Sequence, residues 1–245
     1  MSTIAANLQA MRRRISEALQ GDSRVVMLVA VSKSQPPQSV REAWDAGCRD
    51  FGESYVQEAL PKMAALAGLA ASWHFIGRVQ TNKAREVAEH FDWVHAVDRP
   101  RVAAALSRAR PASLPPLDFC IQVNISAEAT KGGVAPGEAL ALAREVRALP
   151  GLRLRGLMGM AGHTERREEQ RAQFAILART RDEIAAAGIS LDTLSMGMSD
   201  DFEAAIAEGA TMVRIGTAIF GARAATVRQG GVSERGTGFR ADDTK

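Results

Sequence analysis

The sequence predicts one α/β domain, a (β/α)8 or TIM barrel with an extra helix at its N-terminal end. The chain has 245 residues, 46% of them hydrophobic, a size at which α/β barrels commonly form a single domain. Short apolar runs alternate with longer segments of helical periodicity, a pattern typical of parallel strands joined by helical crossovers. Eight such runs occur, and no GxGxxG motif follows the first. Both observations favour the closed barrel over an open doubly wound sheet, which is the alternative fold.

The segment before the first strand is predicted to be a packed helix. Residues 1–21 contain the run Arg12 to Arg14 and in that respect resemble a transit peptide. Gly21 stands where a C-terminal cap belongs, and apolar residues recur at helical spacing before it. These apolar residues are Ile4, Leu8, Met11, Ile15 and Leu19.

The eight predicted strands follow in order within residues 1–225, the predicted barrel domain. They are Val25–Val31, Arg49–Phe51, Trp73–Ile76, Trp93–Val97, Phe119–Asn124, Leu152–Met158, Thr193–Met196 and Met212–Ile215. Between them, narrow apolar stripes predict helices that cover the sheet from one side.

Several predicted helices carry terminal signals. Pro136 fits the first position of a helix, and Gly188 and Gly209 fit C-terminal caps. Ser199 with Asp200 fits a helix N-terminus.

Two segments are less regular. Pro61 lies inside the helical stretch 54–66 and should kink or split it, because proline donates no backbone hydrogen bond. Residues 226–245 contain four glycines, many charges and few apolar residues. We expect them to form a mobile C-terminal tail.

The composition narrows the class of function. A net charge of +3 leaves no evident basic footprint, so we expect no nucleic-acid partner. No stretch reaches the ~18 continuous apolar residues of a membrane span. Cys48 and Cys120 are too few for a disulfide scaffold and lack metal-ligand spacing. The expectation is a reduced cytoplasmic protein that acts as a monomer, with no metal and with two cysteines in its core.

A lysine at the end of the first strand suggests chemistry. Residues 25–31 form an unbroken apolar run, which Ser32 and Lys33 follow. Lys33 is either a solvated strand end, the commoner case for a single lysine, or an amine that attacks a carbonyl at the barrel mouth. A free lysine is almost fully charged at neutral pH, so attack requires a lowered pKa. An apolar mouth and a nearby cation such as Arg214 would both lower it.

Small and hydroxyl residues after the last two strands predict a phosphate site. TIM barrels commonly bind phosphate at the loops after strands seven and eight. There the chain has Ser199 and then Gly216 and Thr217, which can offer backbone N–H groups and hydroxyls to an anion. The alternative is a plain helix cap at Ser199 and a loop glycine at Gly216. Asp200 and Asp201 would repel a phosphate, so we expect both to face solvent.

Closure of the barrel would place the first strand beside the eighth, so that Lys33 and the phosphate site become neighbours. An amine, an anion site and the cation of Arg214 together suit a phosphorylated aldehyde held as a Schiff base. Pyridoxal 5'-phosphate fits this description, and so does the sugar phosphate of a lysine-dependent aldolase.

Six motifs resemble the pyridoxal-phosphate homeostasis protein family, over about residues 5–223. They are AVSK (30–33), FGESYVQEAL (51–60), WHFIGRVQTNK (73–83), LRGLM (154–158), LSMGMSDDFEAAI (194–206) and MVRIGTAIFGAR (212–223). The resemblance implies a fold type III barrel related to the N-terminal domain of alanine racemase, with pyridoxal 5'-phosphate as cofactor. It implies a Schiff base on Lys33, phosphate contacts from Ser199, Gly216 and Thr217, a ring-nitrogen or phosphate contact from Arg214, and lining by Asn124, His74 and Met158.

The implied role is to hold and hand over the cofactor in vitamin B6 and amino-acid homeostasis, without catalytic turnover and with apo enzymes as recipients. The family commonly has asparagine where Ser54 stands, so a contact made by that amide is shortened or lost here. Barrel racemases take an essential tyrosine from a second β-domain, whereas Tyr55 is the only tyrosine here and we expect no such domain. The enzymatic alternative is a racemase or decarboxylase with His74 or another residue of the barrel mouth as acid/base group. The other histidines are expected to be surface or packing residues: His90, His95 and His163.

Overall fold

The predicted strands pair in chain order into one closed parallel barrel. The computed structural model describes residues 3–126, 128 and 131–221. The strands are β1 (Met27–Val31), β2 (Asp50–Glu53), β3 (Ser72–Phe75), β4 (Trp93–Val97), β5 (Leu117–Val123), β6 (Leu152–Gly159), β7 (Thr193–Ser195) and β8 (Met212–Ile215). Each pairs with the next, and β1 closes the ring on β8. The barrel prediction is confirmed, and the open-sheet alternative is wrong.

Helices surround the barrel, and each crossover between strands contains one. They are α1 (Ile4–Leu19), α2 (Pro37–Asp45), α3 (Val56–Ala65), α4 (Ala84–His90), α5 (Pro100–Ala109), α6 (Ala139–Val146), α7 (Arg167–Ala186), α8 (Phe202–Ala207) and α9 (Thr217–Phe220). The extra helix α1 precedes β1, as predicted, and packs against α2, α8 and α9. The Asn7 amide on α1 donates to the Ile219 carbonyl at 2.9 Å, which ties the first helix to the last.

Element boundaries agree with the sequence pattern to within two residues at every strand end. Gly21, Gly188 and Gly209 have φ values of +85°, +82° and +96° and follow α1, α7 and α8 as predicted. Glycine adopts this left-handed conformation without a steric penalty, which is why it closes helices. Pro136 begins a short 3₁₀ turn that leads into α6.

Pro61 does not split its helix. α3 runs without interruption through Pro61, so the expected split does not occur. Proline lacks one backbone N–H, so Pro61 removes a single helical hydrogen bond, the one that would reach the Gln57 carbonyl. Val56, Ala59 and Lys62 form the buried face of α3, and packing of this face holds the helix in place.

Two apolar clusters make up the core. The larger lies between the sheet and the helices, and the smaller lies inside the barrel. Trp93 of the smaller cluster contacts His95 on β4, which hydrogen-bonds Ser195 on β7 at 2.9 Å. Because β4 and β7 are not neighbours, this bond must cross the barrel interior. The smaller cluster contains Val29, Trp93, Ala96, Cys120, Met158 and Met212. The interior is therefore part apolar and part polar.

Both cysteines are core thiols, as predicted. Cys48 and Cys120 are free and buried. Burial raises the pKa of the Cys48 thiol to about 11 and raises that of Cys120 as well. Neither thiol is therefore poised to react at neutral pH.

The predicted tail, residues 226–245, lies outside the described residues, so the boundary of the 1–225 domain stays a prediction. Within the part of the chain that is described, no helix has the length and apolar character needed to cross a bilayer.

Candidate functional site

Lys33 lies two residues after β1 at the carboxyl end of the barrel, the end at which TIM-barrel sites form. It is half-buried and lines a cavity of about 280 Å³, close to the ~300 Å³ lower end of small-molecule pockets. Ser199, Gly216, Thr217 and Arg214 line the same cavity. The fold thus brings the lysine together with the residues predicted to bind phosphate.

Helix α3 holds the backbone on both sides of Lys33. The Lys62 amine donates to the Ser32 carbonyl at 2.7 Å, and the Glu58 carboxylate accepts from the Ser34 N–H. Ser34 has a φ of +61°, a left-handed conformation that is uncommon outside glycine. The two residues next to Lys33 in the chain, Ser32 and Ser34, are therefore both anchored to α3.

A buried ion pair supports this loop. The Lys62 side chain is 3% exposed, and its amine lies 2.6 Å from Oε1 of the fully buried Glu53 carboxylate. The Ser32 hydroxyl donates to the same oxygen at 2.6 Å, whereas Oε2 has no hydrogen-bond partner among the described residues. Burial raises the pKa of Glu53, and the Lys62 amine opposes that shift. The positive charge of Lys62 thus compensates the buried Glu53 carboxylate beneath the Lys33 loop.

The loop after β7 brings Ser199 against the helix that follows β8. The Ser199 hydroxyl accepts a hydrogen bond from the Ala218 N–H at 3.4 Å. The predicted helix start at Ser199 was wrong, because α8 begins at Phe202 with Asp201 as its N-cap. Ser199 therefore does not cap α8. Together with Thr217, it presents hydroxyl groups beside backbone N–H groups, an arrangement that suits an anion.

Gly197 is required in this loop for two reasons. Its φ is +95°, and a Cβ at this position would lie 2.7 Å from the Ala205 Cβ and 2.9 Å from the Phe202 Cα. A larger residue would adopt a disfavoured conformation and also push against α8. Gly197 therefore allows α8 to pack directly against the loop that carries Ser199.

Asp201 is buried, so the expectation that it faces solvent was wrong. Its carboxylate accepts a hydrogen bond from the Met198 N–H, and the residue is 8% exposed. Burial raises the pKa of Asp201, while the Met198 hydrogen bond and the charge of Arg214 oppose the shift. Asp201 turns inward because it closes the turn before α8. Asp200 is exposed, as expected, although it also lines the cavity.

Arg214 reaches the cavity from β8 and is 4% exposed. Its Nη1 donates to the Ser195 hydroxyl at 2.7 Å, and its Nη2 donates to the Gly159 carbonyl at 3.1 Å. Burial lowers the pKa of Arg214 to about 10, and the charge of Asp201 opposes the shift. The guanidinium therefore stays charged at neutral pH and is held in place by β6 and β7.

Six of the eight predicted site residues line the cavity, Met158 among them; His74 and Asn124 do not. His74 is fully buried, and its ring stacks on that of Trp93 with centroids 5.5 Å apart. The Asn124 amide donates to the Glu128 carbonyl at 2.9 Å in the loop after β5. Both side chains thus have structural partners outside the cavity lining.

Three polar residues that support the site were not predicted from the sequence. His95, expected at the surface or in packing, is fully buried and bonds Ser195. His95 lies two residues after Trp93 in WVHAV, and alternate residues of a strand lie on the same face. The spacing therefore indicates that His95 and Trp93 share a face. The pairing of Glu58 with Lys62 was also missed, although their four-residue spacing places them on one helix face.

A larger cleft of about 750 Å³ adjoins the cavity and shares Met198 and Asp200 with it. Its lining includes Lys131 and Arg167 but not Lys33. Volume alone does not identify a binding site, and the smaller cavity is the one that contains Lys33 and the residues predicted to bind phosphate.

Comparison with known proteins identifies the family. The family model described as alanine racemase, N-terminal domain, matches residues 1–224. A pyridoxal phosphate homeostasis protein of Pseudomonas aeruginosa is 58% identical over 226 residues, 91% of this chain and 97% of that protein. The chain belongs to the pyridoxal-phosphate homeostasis protein family. The protein of that name from Escherichia coli K12 is 49% identical over 234 residues, 91% of this chain and 98% of that protein.

Solved structures agree with this assignment. PipY of Synechococcus elongatus PCC7942, solved with PLP bound, has a TM-score of 0.79 and 37% identity, covering 89% of this chain and 100% of that one. An alanine racemase of Clostridium difficile has a TM-score of 0.69 at 15% identity, covering 87% of this chain and 56% of that one. The second likeness shows the fold alone. The family resemblance of the six sequence motifs is confirmed.

Proposed function

We propose that this protein binds pyridoxal 5'-phosphate at the carboxyl end of its barrel and acts in intracellular vitamin B6 homeostasis without steady catalytic turnover. The observation that carries the proposal is that Lys33, Ser199, Gly216, Thr217 and Arg214 line one cavity. The cofactor has an aldehyde and a phosphate, which an amine and a set of hydroxyl and N–H donors suit respectively. The relative PipY was solved with PLP bound, which supports the same ligand here.

Five of the residues that line the cavity have a defined part in this proposal. Lys33 holds the cofactor covalently as a Schiff base, and Ser199, Gly216 and Thr217 bind its phosphate. Arg214 faces its ring, and the cofactor supplies a reactive carbonyl on an electron-withdrawing ring. Because α3 anchors the residues on both sides of Lys33, the backbone that carries the amine is held by the protein itself.

A carrier role is supported by the small number of acid/base groups among the described residues that line the cavity. Among its described lining residues, the titratable ones are Lys33, Asp200 and Arg214. Chemistry at an amino acid's α-carbon requires acid/base groups placed against the substrate. His74, considered for that role in a racemase or decarboxylase, is buried with both ring nitrogens in hydrogen bonds. We therefore infer that the protein stores the cofactor and passes it to apo enzymes. It is proposed to do so as a cytoplasmic monomer.

Reductive trapping tests the ligand and the attachment site together. The chain has five lysines, so a peptide map of borohydride-treated, PLP-loaded protein identifies the modified residue without ambiguity. We expect modification at Lys33, none in Lys33→Ala, and no change in Lys83→Ala, whose amine pairs with Glu86 at 2.9 Å outside the cavity. Modification of a different lysine in the intact protein would overturn the assignment. A protein without any cofactor absorption band would instead favour the aldolase alternative.

Turnover is tested separately with free amino acids as substrates. We expect racemisation and decarboxylation by the PLP-loaded protein to match those of a Lys33→Ala blank. Steady turnover above that blank would overturn the non-catalytic role and leave cofactor binding intact.

A further inference from the structure

A continuous chain of hydrogen bonds crosses the barrel interior from the cavity. Arg214 Nη1 donates to Ser195 Oγ at 2.7 Å, and that oxygen lies 2.9 Å from His95 Nδ1. His95 Nε2 lies 3.0 Å from His74 Nδ1, and His74 Nε2 lies 3.2 Å from Asp50 Oδ1. The chain thus links β8, β7, β4, β3 and β2 and ends at a carboxylate whose side chain is 24% exposed.

If both imidazoles are neutral, the two ends of the chain determine the direction of every bond. Arg214 can only donate, and the Asp50 carboxylate can only accept. His74 must therefore carry its proton on Nε2, and its Nδ1 must accept from His95. His95 then also carries its proton on Nε2, and its Nδ1 accepts from the Ser195 hydroxyl. With both imidazoles neutral, this is the one arrangement in which all four contacts are hydrogen bonds.

The surroundings of both imidazoles suit this arrangement. His95 is fully buried, and burial together with the nearby His74 and Arg214 lowers its pKa well below the ordinary value. The His74 ring lies nearly parallel to Trp93, at 9°, and the Ser72 hydroxyl lies 3.4 Å from His74 Nε2. Packing thus restricts rotation of the His74 ring, and desolvation disfavours a second proton on His95.

We propose that Ser195, His95, His74 and Asp50 are positioning residues that orient Arg214 through this one-way chain. Anchoring Nη1 fixes the plane in which the guanidinium lines the cavity, and two neutral imidazoles keep a competing cation out of the barrel interior. The effect on a bound cofactor rests on the proposed function. The protonation pattern of the chain does not, because it follows from the protein's own groups.

Nuclear magnetic resonance reads this pattern directly. Two-bond ¹H–¹⁵N correlation on the full-length, cofactor-free protein with ¹⁵N-labelled histidine distinguishes the two tautomers. We expect neutral Nε2–H rings at His74 and His95. His90 Nδ1 lies 2.9 Å from the Glu86 carbonyl and is a reference for the opposite tautomer. The variants His90→Gln and His163→Gln assign the two exposed histidines. A charged ring, or a proton on Nδ1, at His95 would overturn the proposal.

Variants at the far end of the chain separate hydrogen bonding from packing. Asp50→Ala removes the last acceptor, so nothing then fixes the tautomer of His74. His95, which bonds His74, should therefore show a mixture of tautomers. Asp50→Asn keeps an acceptor oxygen and should preserve the wild-type pattern. Identical His95 signals in wild type and Asp50→Ala would contradict the proposal.

The link to Arg214 is tested in PLP-loaded protein. His95→Phe should shift the cofactor absorption maximum and raise the rate of cofactor loss several-fold, whereas His90→Gln should do neither. A wild-type spectrum and loss rate in His95→Phe would show that the chain does not orient Arg214. If the wild type retains no cofactor at all, the proposed function fails, and the tautomer result still decides the hydrogen-bonded chain.

Discussion

Val29 on β1 is the register partner of Arg214 on β8. Lys33 follows Val29 in the next loop, and Gly216 and Thr217 follow Arg214 in the same way, so both segments leave the barrel at its carboxyl end. Chain closure is therefore what places the Lys33 amine beside the residues proposed to bind an anion. Neither segment forms the cavity by itself, and the composition of the site depends on topology.

The two hydroxyl groups of the proposed phosphate site should each contribute to affinity for PLP. Ser199→Ala and Thr217→Val each remove one donor to a charged group, and such bonds are worth about 1.5–3 kcal/mol. We expect the Kd for PLP to rise about 10- to 100-fold in each variant, measured by titration followed by absorption. Ser107→Ala is the matched control, because its hydroxyl donates to the Pro150 carbonyl at 2.7 Å outside the cavity. Affinities equal to that of the control would exclude these hydroxyls as phosphate ligands.

The buried Lys62 amine should be important for stability. Lys62→Met leaves the fully buried Glu53 carboxylate without a cation, a change that typically costs about 3–5 kcal/mol of unfolding free energy. Urea unfolding measures the loss, and Lys62→Met combined with Glu53→Gln should recover much of it. Lys83→Met is the control, because its pair with Glu86 is partly exposed and should contribute less than about 1 kcal/mol. Equal losses in Lys62→Met and Lys83→Met would contradict this account.

Two glycines with similar φ values separate conformational strain from crowding. Gly188→Ala has open space around its new Cβ, so only the left-handed backbone penalises it, by about 1–2 kcal/mol. Gly197→Ala adds contacts of 2.7 Å and 2.9 Å against α8, and overpacking should cost a further ~1–3 kcal/mol. Thermal and urea unfolding of the two variants measure the difference. A Gly197→Ala protein as stable as Gly188→Ala would show that α8 shifts without cost.

The barrel could be predicted from sequence because its strands are short apolar runs with clear punctuation. The side chains inside it were harder to predict. Alternation along β4 places His95 on the face of Trp93, but all five residues of β4 are buried, so the pattern does not show whether that face is the barrel interior. Asp201 was misplaced for a related reason, because a turn rather than a helix carries it inward. Pro61 was misjudged because tertiary packing of α3 outweighs the loss of one backbone hydrogen bond.

The buried imidazole of His95 should make the protein sensitive to acid. Burial and the neighbouring His74 and Arg214 hold its pKa well below the ordinary value in the folded state. The unfolded chain therefore takes up a proton below about pH 6.5 that the folded protein does not. The unfolding free energy should fall as the pH decreases from that point, by up to ~1.4 kcal/mol per pH unit from this residue.

Glu53 and Asp201 have raised pKa values, so each makes the unfolding free energy rise, rather than fall, as the pH decreases. The measured dependence of stability on pH therefore combines their contributions with that of His95. Comparison with His95→Asn isolates the histidine, because the variant keeps both carboxyl groups. Urea unfolding between about pH 6.5 and 5 should give a shallower loss of stability in His95→Asn than in wild type. His90→Asn, at an exposed position, is the control for the loss of a histidine elsewhere. Parallel slopes in wild type and His95→Asn would mean that His95 takes up its proton in the folded barrel as readily as in the unfolded chain.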